Sequence, residues 1–385
     1  MVARWIATHD YPAEMLPQGE GRAFVQDLVF TTVRRFRPLR SVLGKLMAKW
    51  PKGELEALLL VGAAQILYME DVPDFAAVNE TVVAAKSCEN KSIAKVVNAV
   101  LRNLIRRREE FEAYLAAAPL AERESYPNAI VRRWVARYGE AEAEALAKWH
   151  NEPAETFLAY PPSGTPSGFV KLERGRKVAE VEGYAEGAFI VQDPATALAV
   201  ELLDARPGMQ VLDFCAAPGG KTVQLAWRML DGDGRRQGRL MAQEVNPKRL
   251  ARLRENLARL HLDWVETGGS LVEGERFDRV LVDAPCSNTG VLRRRPDARW
   301  RWTEERLGEI IALQDQVLAA AAERVLPGGV LVYSTCSNEP EENGERVATF
   351  LAAHPEFSEI ARRESVPCRS GHDGAFACAM VKSGT

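Results

Sequence analysis

From about residue 192 onward, short apolar runs alternate with amphipathic helical stretches, and that alternation leaves few folds open. Runs at 211–214, 239–243, 280–283 and 330–334, with a weaker one near 264–267, have the Val/Leu-rich character of buried strands. Stretches near 222–230, 247–260 and 304–325 separate them and carry the helical period. Asp193 can cap a further helix that has Pro194 at its first position. Each crossover helix returns the chain to the same end of the sheet, so the strands pair in parallel with helices on both faces. A last strand over 375–381 can run antiparallel. The expectation is an α/β domain over 192–385.

Open sheets of this kind bind ligands beyond the carboxyl ends of their strands. Two of those ends carry cysteine. One is Asp283-Ala284-Pro285-Cys286-Ser287-Asn288-Thr289-Gly290, and the other is Ser334-Thr335-Cys336-Ser337. A single cysteine is often just a small buried hydrophobe. Two at strand ends, one of them beside Asp-Ala-Pro, suggest thiol chemistry in which one sulfur attacks and the other assists.

A third strand runs into Cys215-Ala216-Ala217-Pro218-Gly219-Gly220-Lys221-Thr222 and then a helix. Small residues there let backbone approach a ligand closely, and the helix start offers free N–H groups. A phosphate-binding P-loop would need glycine where Cys215 stands, and the Gly-x-Gly-x-x-Gly fingerprint is absent. Glu244 ends the next strand, where a carboxylate can accept both ribose hydroxyls. The five histidines form no ligand cluster and the six cysteines no Cys-x-x-Cys, so no metal is expected.

Residues 1–115 read as an all-helical module: Leu55, Leu58, Leu59, Gly62, Ile66 and Leu67 line one helix face, and Val96, Val97, Val100, Leu101, Leu104 and Ile105 line another. Residues 116–191 read as a connecting helical and small α+β subdomain. The net charge of −3 hides a polar layout. Between Arg22 and Lys52 eight Lys/Arg, among them Arg34 and Arg35, face one acid, Asp27. Between Lys86 and Arg108 seven, including Lys91, Arg106 and Arg107, face Glu89. Faces this basic attract phosphate backbones. After the Cys286 loop, Arg293-Arg294-Arg295-Pro296-Asp297-Ala298-Arg299-Trp300-Arg301-Trp302 suits phosphate contact and base stacking, although its tryptophans could equally cover the sheet. No targeting signal and no membrane-length apolar run is legible, which points to a cytoplasmic protein with reduced thiols. A monomer is the default expectation.

The three C-terminal motifs together resemble the RNA cytosine-C5 methyltransferases, and in particular the bacterial RsmB (Sun/Fmu) type that modifies 16S rRNA. Ala76-Ala77-Val78-Asn79-Glu80-Thr81-Val82 and Val97-Asn98-Ala99-Val100-Leu101-Arg102 resemble NusB-type helical RNA-binding domains. The resemblance implies a class I, Rossmann-like methyltransferase domain, S-adenosylmethionine as methyl donor and cytosine C5 of RNA as acceptor. Cys336 matches the attacking thiol and Cys286 the thiol that assists release. Asp283 would hold the base edge, and Lys221 would orient Asp283. The loop 215–221, Glu244 and Asp283 would line the cofactor site. The family's acid near the adenine is missing at Thr267-Gly268-Gly269-Ser270, where Ser270 is the candidate substitute. Two alternatives stay open: a tRNA or different rRNA target, and a NusB-like RNA-binding factor whose methyltransferase domain is inactive.

Overall fold

A computed structural model describes residues 1–88 and 92–384. Glu89 and Lys91, counted above in the second basic stretch, lie outside the described residues. The chain forms two compact units, residues 1–152 with 292–303, and residues 153–291 with 304–385.

The first unit is helical. Its longer helices include Arg22–Arg34, Glu54–Tyr68, Asp74–Lys86, Ser92–Arg106 and Asn128–Tyr138. Trp5, Leu39, Leu43, Leu59, Leu60, Leu101 and Phe111 are fully buried in one core. Gly62 permits a close approach in it, since a Cβ there would lie 2.5 Å from Leu101 Cδ1. Residues 292–303, expected to belong with 192–385, are built into this helical unit instead.

Among the described residues the second unit holds ten strands: β1 Phe157–Tyr160, β2 Gly168–Lys171, β3 Ile190–Val191, β4 Gln210–Asp213, β5 Arg239–Gln243, β6 Glu266–Gly268, β7 Phe277–Asp283, β8 Val325–Thr335, β9 Phe357–Ser365 and β10 Ala375–Lys382. The first three form a small antiparallel sheet in the order β2-β1-β3. The other seven run β6-β5-β4-β7-β8-β10-β9. Strands β4 to β8 pair in parallel, and β10 is antiparallel to both β8 and β9. Alternate residues face opposite layers, as the period of two requires. Val211 and Val332 join the core that contains Val223, Leu253 and Leu257, while Leu212 and Leu331 join the one that contains Leu318 and Phe350. This is the expected Rossmann-like sheet. From β4 the chain steps outward to β5 and β6 and then crosses back to β7 on the other side of β4, so the strand order reverses between β4 and β7 and their carboxyl ends frame a crevice. Among the described residues no helix is long and apolar enough to cross a membrane.

Candidate active site

Strands β7 and β8 are parallel neighbours with Asp283 opposite Ser334, so the loops that leave them start side by side. Cys286 and Cys336 meet there, Sγ to Sγ at 3.2 Å. Cys336 Sγ also lies 3.4 Å from Asn288 Oδ1, while Asn288 Nδ2 donates to the Cys286 carbonyl at 2.9 Å. Asn288 has φ of 62°, a left-handed conformation that non-glycine residues rarely adopt, and it curls the loop so that its amide reaches both cysteines. Gly290 is required by packing, since a Cβ would sit 2.7 Å from the Cys336 carbonyl oxygen. The neighbouring sulfur and burial hold the Cys286 thiol well above the ordinary range, so it stays protonated.

Lys221 Nζ pairs with Asp283 Oδ2 at 2.7 Å, and Ser334 Oγ donates to Asp283 Oδ1 at 3.0 Å. Burial works against the Lys221 charge, but the Asp283 carboxylate outweighs it and raises the ammonium above its usual value. The Gly-Lys-Thr run thus has duties unlike those of a P-loop: Lys221 holds Asp283, and Thr222 Oγ1 donates to Asp213 Oδ2 at 2.6 Å. Cys215 is near this cluster, but burial and the surrounding carboxylates push its thiol up to about 12, which makes it a poor nucleophile.

The loop after β4 is fixed from two helices. Gly219, at φ of 106°, caps the helix Gly220–Arg228. Arg249 Nη2 donates to the Ala217 carbonyl at 2.9 Å and Asn256 Nδ2 to the Pro218 carbonyl at 2.7 Å. At the end of β5, Glu244 is only 4% exposed; its Oε1 accepts the Asn246 N–H at 2.8 Å and its Oε2 lies 3.3 Å from Arg249 Nη2. The Glu244 N–H donates to the Gly268 carbonyl at 2.9 Å, which ties this carboxylate to the loop that carries the exposed Ser270. Val245 beside it is 76% exposed. A carboxylate for hydroxyls, an exposed apolar side chain for a base face and a backbone loop make a donor set that fits an adenosine-containing cofactor.

The arginines singled out as RNA contacts divide. Arg299 is fully buried in the helical unit: Nη1 donates to Ser125 O at 3.1 Å and Asn151 Oδ1 at 2.9 Å, and the guanidinium lies 3.9 Å from the Tyr126 ring centre. Arg34 is buried too and donates to the Arg293 carbonyl at 3.1 Å, while Arg293 itself is 7% exposed. Those three are corrected to structural cations. Inside the unit each meets a protein acceptor: the Arg293 carbonyl for Arg34, the Glu152 carbonyl for Arg293, and Ser125 O with Asn151 Oδ1 for Arg299. Arg294 is partly buried, Arg295 lies 3.8 Å from the Tyr11 ring centre, and Arg35 pairs with Glu124 at 3.2 Å. Trp300 packs on Trp5 and Phe36 and donates to Val33 O at 2.9 Å, so the tryptophans cover helices rather than the sheet. Arg107 is paired with Glu110 at 2.5 Å. Arg106 is exposed, as are Arg40, Lys45, Lys49, Lys52, Lys86, Lys95 and Arg102. Asn288, Ser334 and Arg249 are site residues that sequence reasoning missed, because each acts through a contact that only the loop geometry creates.

The family pattern described as "16S rRNA methyltransferase RsmB/F" matches residues 200–375, and that of the "NusB family" matches residues 5–106. The ribosomal RNA small subunit methyltransferase B of Serratia proteamaculans is 32% identical over 398 residues, covering 94% of this chain and 90% of that protein. Its counterpart from Vibrio cholerae is 32% identical over 400 residues, covering 94% and 89%. Among solved structures, PH0851 superposes with a TM-score of 0.81 at 21% identity over 99% of this chain and 97% of its own. NSun6 from Pyrococcus horikoshii, solved with SFG, has a TM-score of 0.57 at 17% identity over 67% and 99%. Those two structures share the fold, and the near-full-length sequence relatives carry the assignment: this chain belongs to the RsmB/F family of 16S rRNA methyltransferases.

Proposed function

We propose that this S-adenosylmethionine-dependent methyltransferase converts a specific cytosine of 16S rRNA to 5-methylcytosine in the cytoplasm, through a covalent bond between Cys336 and C6 of the base. The observation that carries the reading is the thiol pair at 3.2 Å beside the Lys221–Asp283 ion pair. C5 of cytosine is a poor nucleophile until the ring loses its aromaticity. Addition of the Cys336 sulfur to C6 breaks the C5–C6 double bond and leaves C5 enamine-like. Asp283 faces the N3/N4 edge of the base and, with the Lys221 proton, offsets the charge that builds on the ring. S-adenosylmethionine, held by the loop 215–221, Glu244 and the rim at Ser270, supplies when bound a methyl carbon that C5 can attack. Water then takes the C5 proton, the electron pair left behind re-forms the C5–C6 double bond, and the C6–Cys336 bond breaks with its pair on sulfur. Cys286, which stays protonated beside it, can give the departing sulfur its proton.

The two thiols separate experimentally. Cys336→Ala should abolish both methyl transfer and any covalent RNA adduct. Cys286→Ala should still permit addition but stall release, accumulating a protein–RNA species that survives a denaturing gel. An adduct retained by Cys336→Ala and never formed by Cys286→Ala would reverse the roles. Bisulfite sequencing of rRNA and tRNA from a deletion strain tests the target, and loss of a tRNA signal alone would overturn the 16S assignment.

A further inference from the structure

Behind the two cysteines lies a carboxylate to which no role has been assigned. Glu342 is fully buried at the end of the short helix Pro340–Glu342. A buried charge is costly unless its lone pairs are satisfied. Here the donors come from both cysteine loops. Oε1 accepts the Ser287 N–H at 2.8 Å and Gln314 Nε2 at 3.0 Å, and Oε2 accepts Ser337 Oγ at 2.5 Å and also Ser287 Oγ. Ser287 directly follows Cys286, and Ser337 directly follows Cys336. Gln314, itself fully buried on the helix Glu304–Ala322, also donates to the Pro285 carbonyl at 2.9 Å and so grips the first loop from its other side. Tyr333 Oη donates to the Glu342 carbonyl at 2.8 Å and fixes the backbone.

We propose that Glu342 is the positioning residue of the thiol pair: its carboxylate clamps the two loops by the serine after each cysteine and sets the separation of the two sulfurs. The role rests on the two-thiol reading above. A clamp of this kind needs an ionised acceptor, because four donors converge on two oxygens and an amide would turn one of those oxygens into a competing donor. The same negative charge lies close enough to Cys286 to help hold it protonated, which is the form in which a release thiol must wait. Glu342 reaches neither the loop 215–220 nor Glu244 among its hydrogen-bond partners, so its effect should spare the cofactor.

The test is Glu342→Gln in the full chain, with Glu342→Asp and Ser287→Ala/Ser337→Ala beside it. Glu342→Gln should lower kcat by about 100-fold, the scale of loss that misplacing a reacting group by about 1 Å brings, with KM for RNA nearly unchanged. Calorimetric titration should find the same affinity for S-adenosylmethionine. The specific readout is thiol titration without RNA: the pH midpoint for iodoacetamide alkylation of Cys286, followed by mass spectrometry, should fall, because one charge that disfavours the thiolate is gone while the Cys336 sulfur and burial remain. Glu342→Asp retains the charge and should restore that midpoint while recovering kcat only in part. If Glu342→Gln does not fold, the double serine variant carries the test, since it removes both serine hydroxyls from Oε2, freeing the side-chain hold on the Cys336 loop while the Ser287 N–H and Gln314 stay on Oε1; it should lower kcat with the Cys286 midpoint retained. Wild-type kcat and an unmoved Cys286 midpoint in Glu342→Gln would overturn the clamp, as would wild-type kcat in a folded double serine variant. Those outcomes leave the covalent-adduct result for Cys336→Ala untouched, so failure of the clamp and failure of the two-thiol mechanism are distinguishable.

Discussion

Replacing Arg299 by methionine separates a structural arginine from an RNA-binding one. The wild-type guanidinium makes two hydrogen bonds to buried acceptors, Ser125 O and Asn151 Oδ1, and lies over Tyr126. Hydrogen bonds to a charged group contribute about 1.5–3 kcal/mol each, and a desolvated cation–π contact adds about 1–2. Two effects work the other way. Methionine relieves the burial of a charge, which already depresses the Arg299 proton affinity, and it removes repulsion from Arg35. The net loss should be about 2–4 kcal/mol. For a unit of this size, each kcal/mol moves the melting temperature by about 2–4 °C, so the helical unit should melt roughly 5–15 °C lower. Differential scanning calorimetry of the full chain reads this directly. Filter binding across a salt series should give an unchanged slope of log K against log salt, because the charge removed never faces solvent. Exposed Arg106 is the control: Arg106→Met should leave melting almost unmoved and reduce the slope by about 0.7–0.9 if it meets a phosphate. A Arg299→Met protein with wild-type melting and a flattened salt slope would refute the structural assignment.

Three further outcomes follow from the site and from one buried ring. Glu244→Ala should weaken S-adenosylmethionine binding by about 10–100-fold in calorimetric titration, through lost hydrogen bonds to a charged acceptor; saturable ATP binding with no response to S-adenosylmethionine would sink the cofactor assignment. Lys221→Met should lower kcat by about 10–100-fold in a methyl-transfer assay by freeing Asp283, and an unchanged kcat would mean the 2.7 Å ion pair is only structural. His150 is fully buried with neither ring nitrogen hydrogen-bonded, and burial, followed by repulsion from Arg299 and Arg293, depresses its pKa well below 6.5. The unfolded chain therefore binds the proton that the folded ring refuses: the His150 contribution is fully present above pH 6.5 and is lost as pH falls below it. Urea melts between about pH 5 and 8 should show an acid limb that His150→Phe flattens.

Where a single local signal determined an element, the sequence showed it. Strand β5 is the run 239–243, and the helix over 247–260 spans Pro247–Arg259 with Asn246 capping Lys248 and Arg249 N–H groups. Strand β9, Phe357–Ser365, escaped because it is an edge strand whose middle residues are mostly exposed and charged, so it lacks the apolar alternation that marks a strand. Strand β8 begins earlier than expected because Leu326, Pro327, Gly328 and Gly329 look like a turn, although the ladder resumes on either side of them. In the site, Asp283, Cys286, Cys336 and the small-residue loop were legible as motifs at strand ends. Asn288 and Ser334 were not, since their importance depends on which loop atoms face each other.

The arginine-rich segment shows why composition and spacing cannot assign a cation's partner. Residues 292–303 leave the Cys286 loop and return to the helix Glu304–Ala322, yet they pack in the unit formed by residues 1–152. Their side chains contribute to that unit's interior: Leu292 and Arg299 are fully buried, and Trp302 is 7% exposed. Deleting about residues 1–140 would therefore strand this segment's apolar and cationic groups without their cover, and any lost RNA affinity would confound unfolding with lost contacts. Point substitutions at exposed cations avoid that confusion, because they change the field outside the protein while leaving the buried arginines and their carbonyls in place. The informative division among the Lys/Arg residues is thus between those whose charge ends on a protein oxygen inside the unit and those whose charge is left to solvent. Only the second group can set a salt slope.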